Sequence, residues 1–400
     1  MDIRVISTTK PNNTTSTEEF ELFSGHCAGV CYMADTFDSL LSEDIEKTQK
    51  RAQQTMINGH HSVFDHDYIT LYIENIPKLL AMFLNNEKMY TTSEKSARYT
   101  QMTNLSSLEE KKYRKWYLTF EYQINHEYPE ISTFKRKKLA MENARYMISI
   151  FTPTCMVYTT TYRQLNYIYQ WLENIKDITK FGEIFNKPSI TAQWQTFIND
   201  FQTQLLKTNY INPELKDYKN RTFSLFGTKE QVMLKEEILQ DVYSIYYTGS
   251  FAQLAQAQRH RTLNYTIYVP DSITQPLIPY FVPALLSPSL AVEWLKDCEE
   301  LYKNDIISQA RLIYIKEQGT YQNFILKCKE RLCSAAQYEI AIQTQQTLDK
   351  YITTISKQPE HWIWKDIQQY NTGKARCSFP DFVCPNPCGF NAGINMKRLI

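Results

Sequence analysis

Apolar and polar positions alternate with a period of two from Asp2 to Thr8 and again over Asp67–Glu74 (DYITLYIE), which predicts two strands. Helical spacing follows over Glu43–Asn58 and Ile76–Lys88. Ser107 with Glu110 reads as a capping box for a helix running to about Glu127. The helical pattern continues over Phe134–Ile150, stopped near Pro153, and over Tyr162–Asn174. From Phe181 to Phe226 the chain is polar and irregular in period, and reads as a connection. Val242–Tyr247 predicts another strand, and Phe251–His260 (FAQLAQAQRH) a helix of strong formers capped by Ser250. Pro270, Pro276, Pro279 and Pro283 exclude regular helix across their span. Ser287-Pro288 then opens a helix as cap and first residue, and helices follow to about Thr354. Helices mixed with short strands, without βαβ alternation, predict an α+β protein.

Four hundred residues suit two domains of ordinary size, and 43% hydrophobic residues supply real cores. With Gly at 10, no P-loop and no G-x-G-x-x-G after a strand, a glycine-rich phosphate loop is excluded. A net charge of +1 implies no nucleic-acid polymer as partner, whereas a mononucleotide needs only a local cluster of Arg. The opening MDIRVISTTKPNN has no apolar signal region, and no apolar run approaches a membrane span. Nine Cys, an odd count, predict reduced thiols in a cytoplasmic protein. Three of them, Cys377, Cys384 and Cys388 (CSFPDFVCPNPCG), give soft ligands on a Pro-rich turn and predict a structural zinc, the fourth ligand coming from elsewhere.

The chain repeats itself. TTYRQLNYIYQW parallels GTYQNFILKC, and ENARYMISIF around Arg145 parallels SQARLIYIKE around Arg311. Two polar segments stand out. QAQRHRTLNYTIYV holds Gln256, Arg259, His260 and Arg261, followed by Val269. NNEKMYTTSEKSARYTQM holds Asn86-Glu87-Lys88, then Glu94, Ser96, Arg98 and Tyr99. Gln256 and Arg259 share one helix face, and a guanidinium is a fixed fork of donors that grips phosphate or a uracil carbonyl. GHHSVFDH sets His60, Ser62 and Asp65 in one short element, and ERLCSAAQYEIA holds Arg331.

These residues resemble two complementary halves of the signature of the flavin-dependent thymidylate synthases, Arg-His-Arg, seven residues, then Ser, ending in Glu-x-Ser-x-Arg-Tyr; by that resemblance Val269 takes the place of the Ser in one half and Asn86-Glu87-Lys88 that of the Arg-His-Arg triad in the other. GHHSVFDH resembles that family's G-H-x-S-x-x-E-H element, with Asp65 for the usual Glu, and the resemblance spans roughly residues 25–180 and 240–345. It implies two fused copies of the family's α+β fold: 1–185 as a first copy, 186–240 as connection and start of the second copy, 241–355 as the second copy and 356–400 as a Cys-containing tail. It also implies one site built across the copies. Glu94, Ser96, Arg98, Tyr99, Arg145, Gln256, Arg259 and Arg331 would bind dUMP, with Arg331, Arg259 and Ser96 nearest the chemistry. His60, Ser62, Asp65, Arg163, Arg259, His260 and Arg261 would hold FAD, with Asn166 and Asn323 as weaker candidates. NADPH and methylenetetrahydrofolate would be co-substrates, and a homodimer would imitate the family's tetramer. A modified, for instance hydroxymethylated, pyrimidine product and a non-catalytic nucleotide-binding role are the alternatives.

Overall fold

A computed structural model describes residues 1–9, 16–33, 36–98, 100, 102, 104–234, 236–274, 276–386, 388 and 398–400. Two four-stranded antiparallel sheets organise the chain. The first contains β1 (Asp2–Thr8), β2 (Tyr68–Pro77), β3 (Tyr90–Glu94) and β4 (Pro153–Thr161), in the order β1-β2-β4-β3. The second contains β5 (Ile238–Leu239), β6 (Val242–Ser250), β7 (Asn264–Tyr268) and β8 (Leu312–Thr320), in the same order, β5-β6-β8-β7. In each, the second strand runs straight into a helix, Lys78–Leu84 or Phe251–Ala257, and the last strand into another, Tyr162–Ile175 or Tyr321–Arg331. The protein is therefore α+β and built of two copies of one fold.

The ladders fix which residues correspond. Glu94 lies opposite Met156, the fourth residue of β4, and Ile267 opposite Ile315, the fourth residue of β8. Ser96 and Val269 each stand two residues further on, so backbone register and sequence spacing pair the same positions. Phe83 and Gln256 are both the sixth residue of their helices, and Leu172 and Arg331 both the eleventh. One residue is extra in β2, at the bulge between Glu74 and Ile76, where Asn75 has φ of 57°. The parallel drawn between Arg145 and Arg311 fails. Arg145 sits in a 3-10 turn (Arg145–Met147) well ahead of Pro153, whereas Arg311 directly precedes β8.

Several predicted elements differ from those observed. The capping box is Ser106 with Glu109, one residue earlier than expected, because the reciprocal bonds need the cap just outside the first turn. The helix of Phe134–Ile150 ends at Ala144. The supposed connection holds a 19-residue helix, Pro188–Leu206, whose stripe Ile190, Trp194, Ile198, Phe201 and Leu205 is buried. Its apolar residues are spaced widely among Gln, Asn and Thr, which dilutes the composition but not the 3.6-residue period. β8 interrupts the helices expected to run to Thr354.

The chain forms two compact units. Unit 1 comprises Met1–Lys95, Pro153–Ile178 and Pro188–Phe223 and carries the first sheet; unit 2 comprises Ser96–Thr152, Thr179–Lys187 and Ser224–Ile400 and carries the second. Unit 2 thus takes two long helices of the first copy, Ser107–Glu127 and Thr133–Ala144, into its own core. Trp116 packs edge-on against Trp294 at 4.9 Å, and the buried Asp297 accepts from Lys112 at 2.6 Å and from the Trp116 indole at 2.9 Å. Ser149 and Ser308, each four residues ahead of its copy's last strand, bridge each other antiparallel. Equivalent segments of the two copies therefore meet about a local two-fold inside unit 2.

Candidate functional site

In unit 2 the two half-motifs come together. Arg98, from the first copy's loop after β3, donates from Nε to Glu142 at 2.5 Å and from Nη2 to the Ala335 carbonyl at 2.6 Å. With its amide oxygen turned towards Arg98, Gln256 accepts from Nη1 at 3.2 Å and Nε at 3.3 Å. Arg331, ending the second copy's helix, donates from Nη2 to the Gln256 carbonyl at 3.4 Å and from Nε to His260 Nε2 at 2.6 Å. Ser96 Oγ accepts from the Arg98 amide at 3.3 Å, tightening the turn that presents the guanidinium. Tyr99 lies outside the described residues.

The Arg-His-Arg triad divides by burial: Arg259 and Arg261 are exposed and His260 is buried. Accepting from a guanidinium requires a neutral imidazole at Nε2. Burial, then the charges of Arg331 and Lys327, push the His260 pKa down to about 2, so the acceptor form holds throughout the neutral range. His260 therefore orients Arg331, a role that no spacing in the sequence announces.

Arg145 is buried. It donates to the Ala252 carbonyl at 3.0 Å and to the Gln337 side chain. Gln337 donates to Tyr146, whose hydroxyl donates to Glu339 at 2.7 Å; Glu339 also accepts from the Ser250 amide at 2.8 Å and hydroxyl at 2.6 Å. Arg145 thus ties the helix start at Ser250 to the loop after Arg331. That loop is gripped along its length, since Arg398 donates to the carbonyls of Cys333, Ser334 and Ala336 while Arg98 takes that of Ala335. Sequence reasoning missed Glu142, Gln337 and Arg398. Glu142, three residues before Arg145 on a helix, was visible as a neighbour but not as a partner for Arg98.

Of the other predicted residues, Glu94, His60, Ser62, Asp65, Arg163 and Asn166 lie in unit 1 and Asn323 in unit 2. Glu94 accepts from Lys78 at 2.5 Å and from Asn85 at 3.3 Å, which engages both carboxylate oxygens. On the 3-10 turn His61–Asp65 and its cap, His60 and Ser62 are exposed, while Asp65 is ion-paired with Arg163 and accepts from Thr161 at 2.7 Å. The neighbouring His61 is buried, bonded to Tyr167 and to the Met56 carbonyl at 2.7 Å. Asn166 spends its amide on the carbonyls of Tyr162 and Tyr210, and Asn323 donates to the Thr262 carbonyl. Among the described residues no three His, Cys, Asp or Glu side chains gather as a metal site, Cys377, Cys384 and Cys388 included. The short turn Arg376–Ser378 leaves Cys377 exposed, and Cys388 Sγ stands 2.8 Å from the Ser334 hydroxyl. No helix of the described residues is long and apolar enough to cross a membrane.

Residues 15–172 match the family described as thymidylate synthase complementing protein. No curated protein matches the chain. Among solved structures, thymidylate synthase X from Helicobacter pylori with FAD and dUMP aligns at 15% identity and a TM-score of 0.31, covering 54% of this chain and 100% of that one. The UMP/dUMP methylase PolB from Streptomyces cacaoi, bound with 5-Br dUMP, aligns at 12% identity and a TM-score of 0.32, covering 52% of this chain and 92% of that one.

Proposed function

We propose, on the premise that the chain belongs to the flavin-dependent thymidylate synthase family through its residues 15–172, that it methylates dUMP to dTMP at a nucleotide site in unit 2. The observation that carries this reading is the meeting of Arg98 with Gln256 and of Gln256 with Arg331, residues that the two copies retain separately. Arg98 and Ser96 bind the nucleotide phosphate, Arg98 exchanging Glu142 for it. Arg331 faces the uracil, where a fixed, dry guanidinium stabilises the negative charge that develops on the ring in the transition state. His260 and Arg145 position that donor and its loop. Tyr99 and Glu94 carry no assignment in this site.

The donor chemistry fits FAD in part. Arg259 and Arg261 present exposed guanidinium groups suited to a pyrophosphate, and His60 and Ser62 present exposed polar groups in unit 1. His260 does not fit a flavin contact, being spent on Arg331. When bound, the reduced flavin supplies the hydride that completes the methyl group, with NADPH as reductant and methylenetetrahydrofolate as one-carbon donor. The local two-fold at Ser149 and Ser308 supports a chain whose copies pair as subunits do, and hence a homodimer in place of a tetramer.

An absorbance spectrum with and without FAD and dUMP tests the reading. A flavin band perturbed by dUMP, followed by a product with the mass of dTMP, supports it. A product carrying a hydroxymethyl group redirects it to a modified pyrimidine, and no flavin uptake under any condition overturns it.

A further inference from the structure

The chain that follows the helix Tyr338–Ile355 returns, within unit 2, to the loop that joins Arg331 to Gln337. Arg331 ends its helix, and the last carbonyls of a helix have no partner inside it. Arg376 answers that end: its amide donates to the Leu332 carbonyl at 2.6 Å and its Nη1 to that of Lys329 at 2.6 Å. Arg398 takes the next carbonyls, those of Cys333 at 3.2 Å, Ser334 at 3.0 Å and Ala336 at 3.0 Å. The carbonyl between the last two, that of Ala335, accepts from Arg98 at 2.6 Å. Two guanidinium groups thus hold four successive carbonyls of one loop.

Arg398 is an expensive way to hold a loop if stability is its whole purpose. It is 2% exposed, its hydrogen bonds go to uncharged carbonyls, and its Nε has no hydrogen-bond partner among the described residues. Burying a charge is costly unless it is fully paired, and hydrocarbon of similar volume often serves a fold as well. Its place is nonetheless fixed: the guanidinium carbon lies 5.8 Å from the Tyr338 ring centre, the Leu399 amide donates to the Tyr128 hydroxyl at 2.9 Å, and Ile400 is buried in the core of unit 2.

The loop's link to Arg98 supplies a reason. In binding a phosphate Arg98 gives up Glu142 and keeps Gln256 and the Ala335 carbonyl. Each peptide unit is planar, so a carbonyl whose neighbours on both sides are pinned has little freedom of its own. We infer that Arg398 is a positioning residue of the nucleotide site, setting Arg98 through Ala335 and so supporting the preference for a phosphorylated nucleoside. This rests on the reading of Arg98 as the phosphate ligand.

Calorimetric titration of the full chain with dUMP and with deoxyuridine, which lacks the phosphate, tests it. The parent chain should bind dUMP more tightly. Arg398→Ala should weaken dUMP about tenfold and deoxyuridine less than about twofold, the loss of roughly one hydrogen bond at the phosphate alone. Loss of folded protein scales both ligands together and leaves their affinity ratio unmoved, so the ratio separates positioning from stability. Because Arg398 acts through Arg98, the double variant should bind dUMP as Arg98→Ala alone does, whereas independent effects would multiply. Arg398→Lys keeps the charge without the planar fork that spans the carbonyls, so its ratio should also fall, and it carries the comparison if Arg398→Ala does not fold. A parent without preference for dUMP, or Arg98→Ala retaining that preference, overturns the nucleotide reading itself. A preference that Arg98→Ala abolishes and both Arg398 variants retain, or effects of Arg98 and Arg398 that multiply, overturns the role of Arg398 alone.

Discussion

Phe83 and Gln256 occupy the same place in the two copies and do opposite work. Phe83 is buried against Trp194 at 5.7 Å and Phe223 at 5.3 Å, the latter two supplied by chain that follows the first copy's last strand. Gln256 meets Arg98 with its side chain and Arg331 with its carbonyl. The pattern extends along both elements. Asn86-Glu87-Lys88 stands where Arg259-His260-Arg261 stands, Leu172 where Arg331 stands, and Ile267 and Val269 where Glu94 and Ser96 stand. At Phe83, Leu172, Ile267 and Val269 one copy carries hydrocarbon where the other keeps a polar group, while the place of Arg259-His260-Arg261 holds a different polar run. A single set of donors, gathered from both, is what this complementary loss leaves behind.

Substitution at the two equivalent positions should therefore separate stability from binding. Phe83→Ala removes a buried ring among aromatic neighbours and should cost about 3–5 kcal/mol. Denaturant unfolding would show that loss, while the folded fraction would still bind dUMP in a titration. If Phe83→Ala weakened nucleotide binding without lowering stability, the division of labour between the copies would be wrong. Arg331→Ala comes next: loss of one preorganised donor should lower turnover by about 10²–10³-fold, with nucleotide affinity changing less. Single-turnover product formation at saturating dUMP checks it, and activity retained near the parent level would remove Arg331 from the chemistry. Gln256→Ala should weaken dUMP binding about tenfold, the value of one hydrogen bond to a charged group, and leave the thermal midpoint nearly unmoved.

How far the sequence carried this comparison depends on whether a residue acts through a local pattern. The strands at Asp2–Thr8 and Asp67–Glu74, the caps Ser250 and Ser287 and the half-motifs at Ser96 and Arg259 were legible because period, cap chemistry and spacing are local. The helix Pro188–Leu206 was not, since its buried stripe lies among polar residues that dominate composition. The roles of His260, Glu142 and Arg398 were also hidden. Each is defined by a partner far along the chain: Arg331 for His260, Arg98 for Glu142, and the carbonyls of Cys333, Ser334 and Ala336 for Arg398. Arg145 shows the converse, a residue whose type suggested a phosphate ligand and whose burial gives it to Gln337 and Ala252.

The smallest predicted effect distinguishes two buried histidines, one in each unit. Burial lowers the pKa of His61 in unit 1, and burial with Arg331 and Lys327 lowers that of His260 in unit 2 to about 2. An unfolded chain takes up protons at these positions below its ordinary value of about 6.5, whereas the folded chain resists until its own lower value. The stability contributed by neutral His260 is thus fully present above about pH 6.5 and is lost as pH falls towards about 2, at up to roughly 1.4 kcal/mol per pH unit. Between about pH 6.5 and 4.5 most carboxylates stay ionised, so histidine dominates the slope there. His260→Gln places a neutral acceptor where Nε2 lies, keeping Arg331 oriented while removing the proton site. Turnover near neutral pH should survive in this variant and fall in His260→Leu, and the acid slope of stability in both should drop to the part that His61 contributes. An unchanged slope in His260→Gln would mean that His260 is not the buried neutral acceptor that aims Arg331.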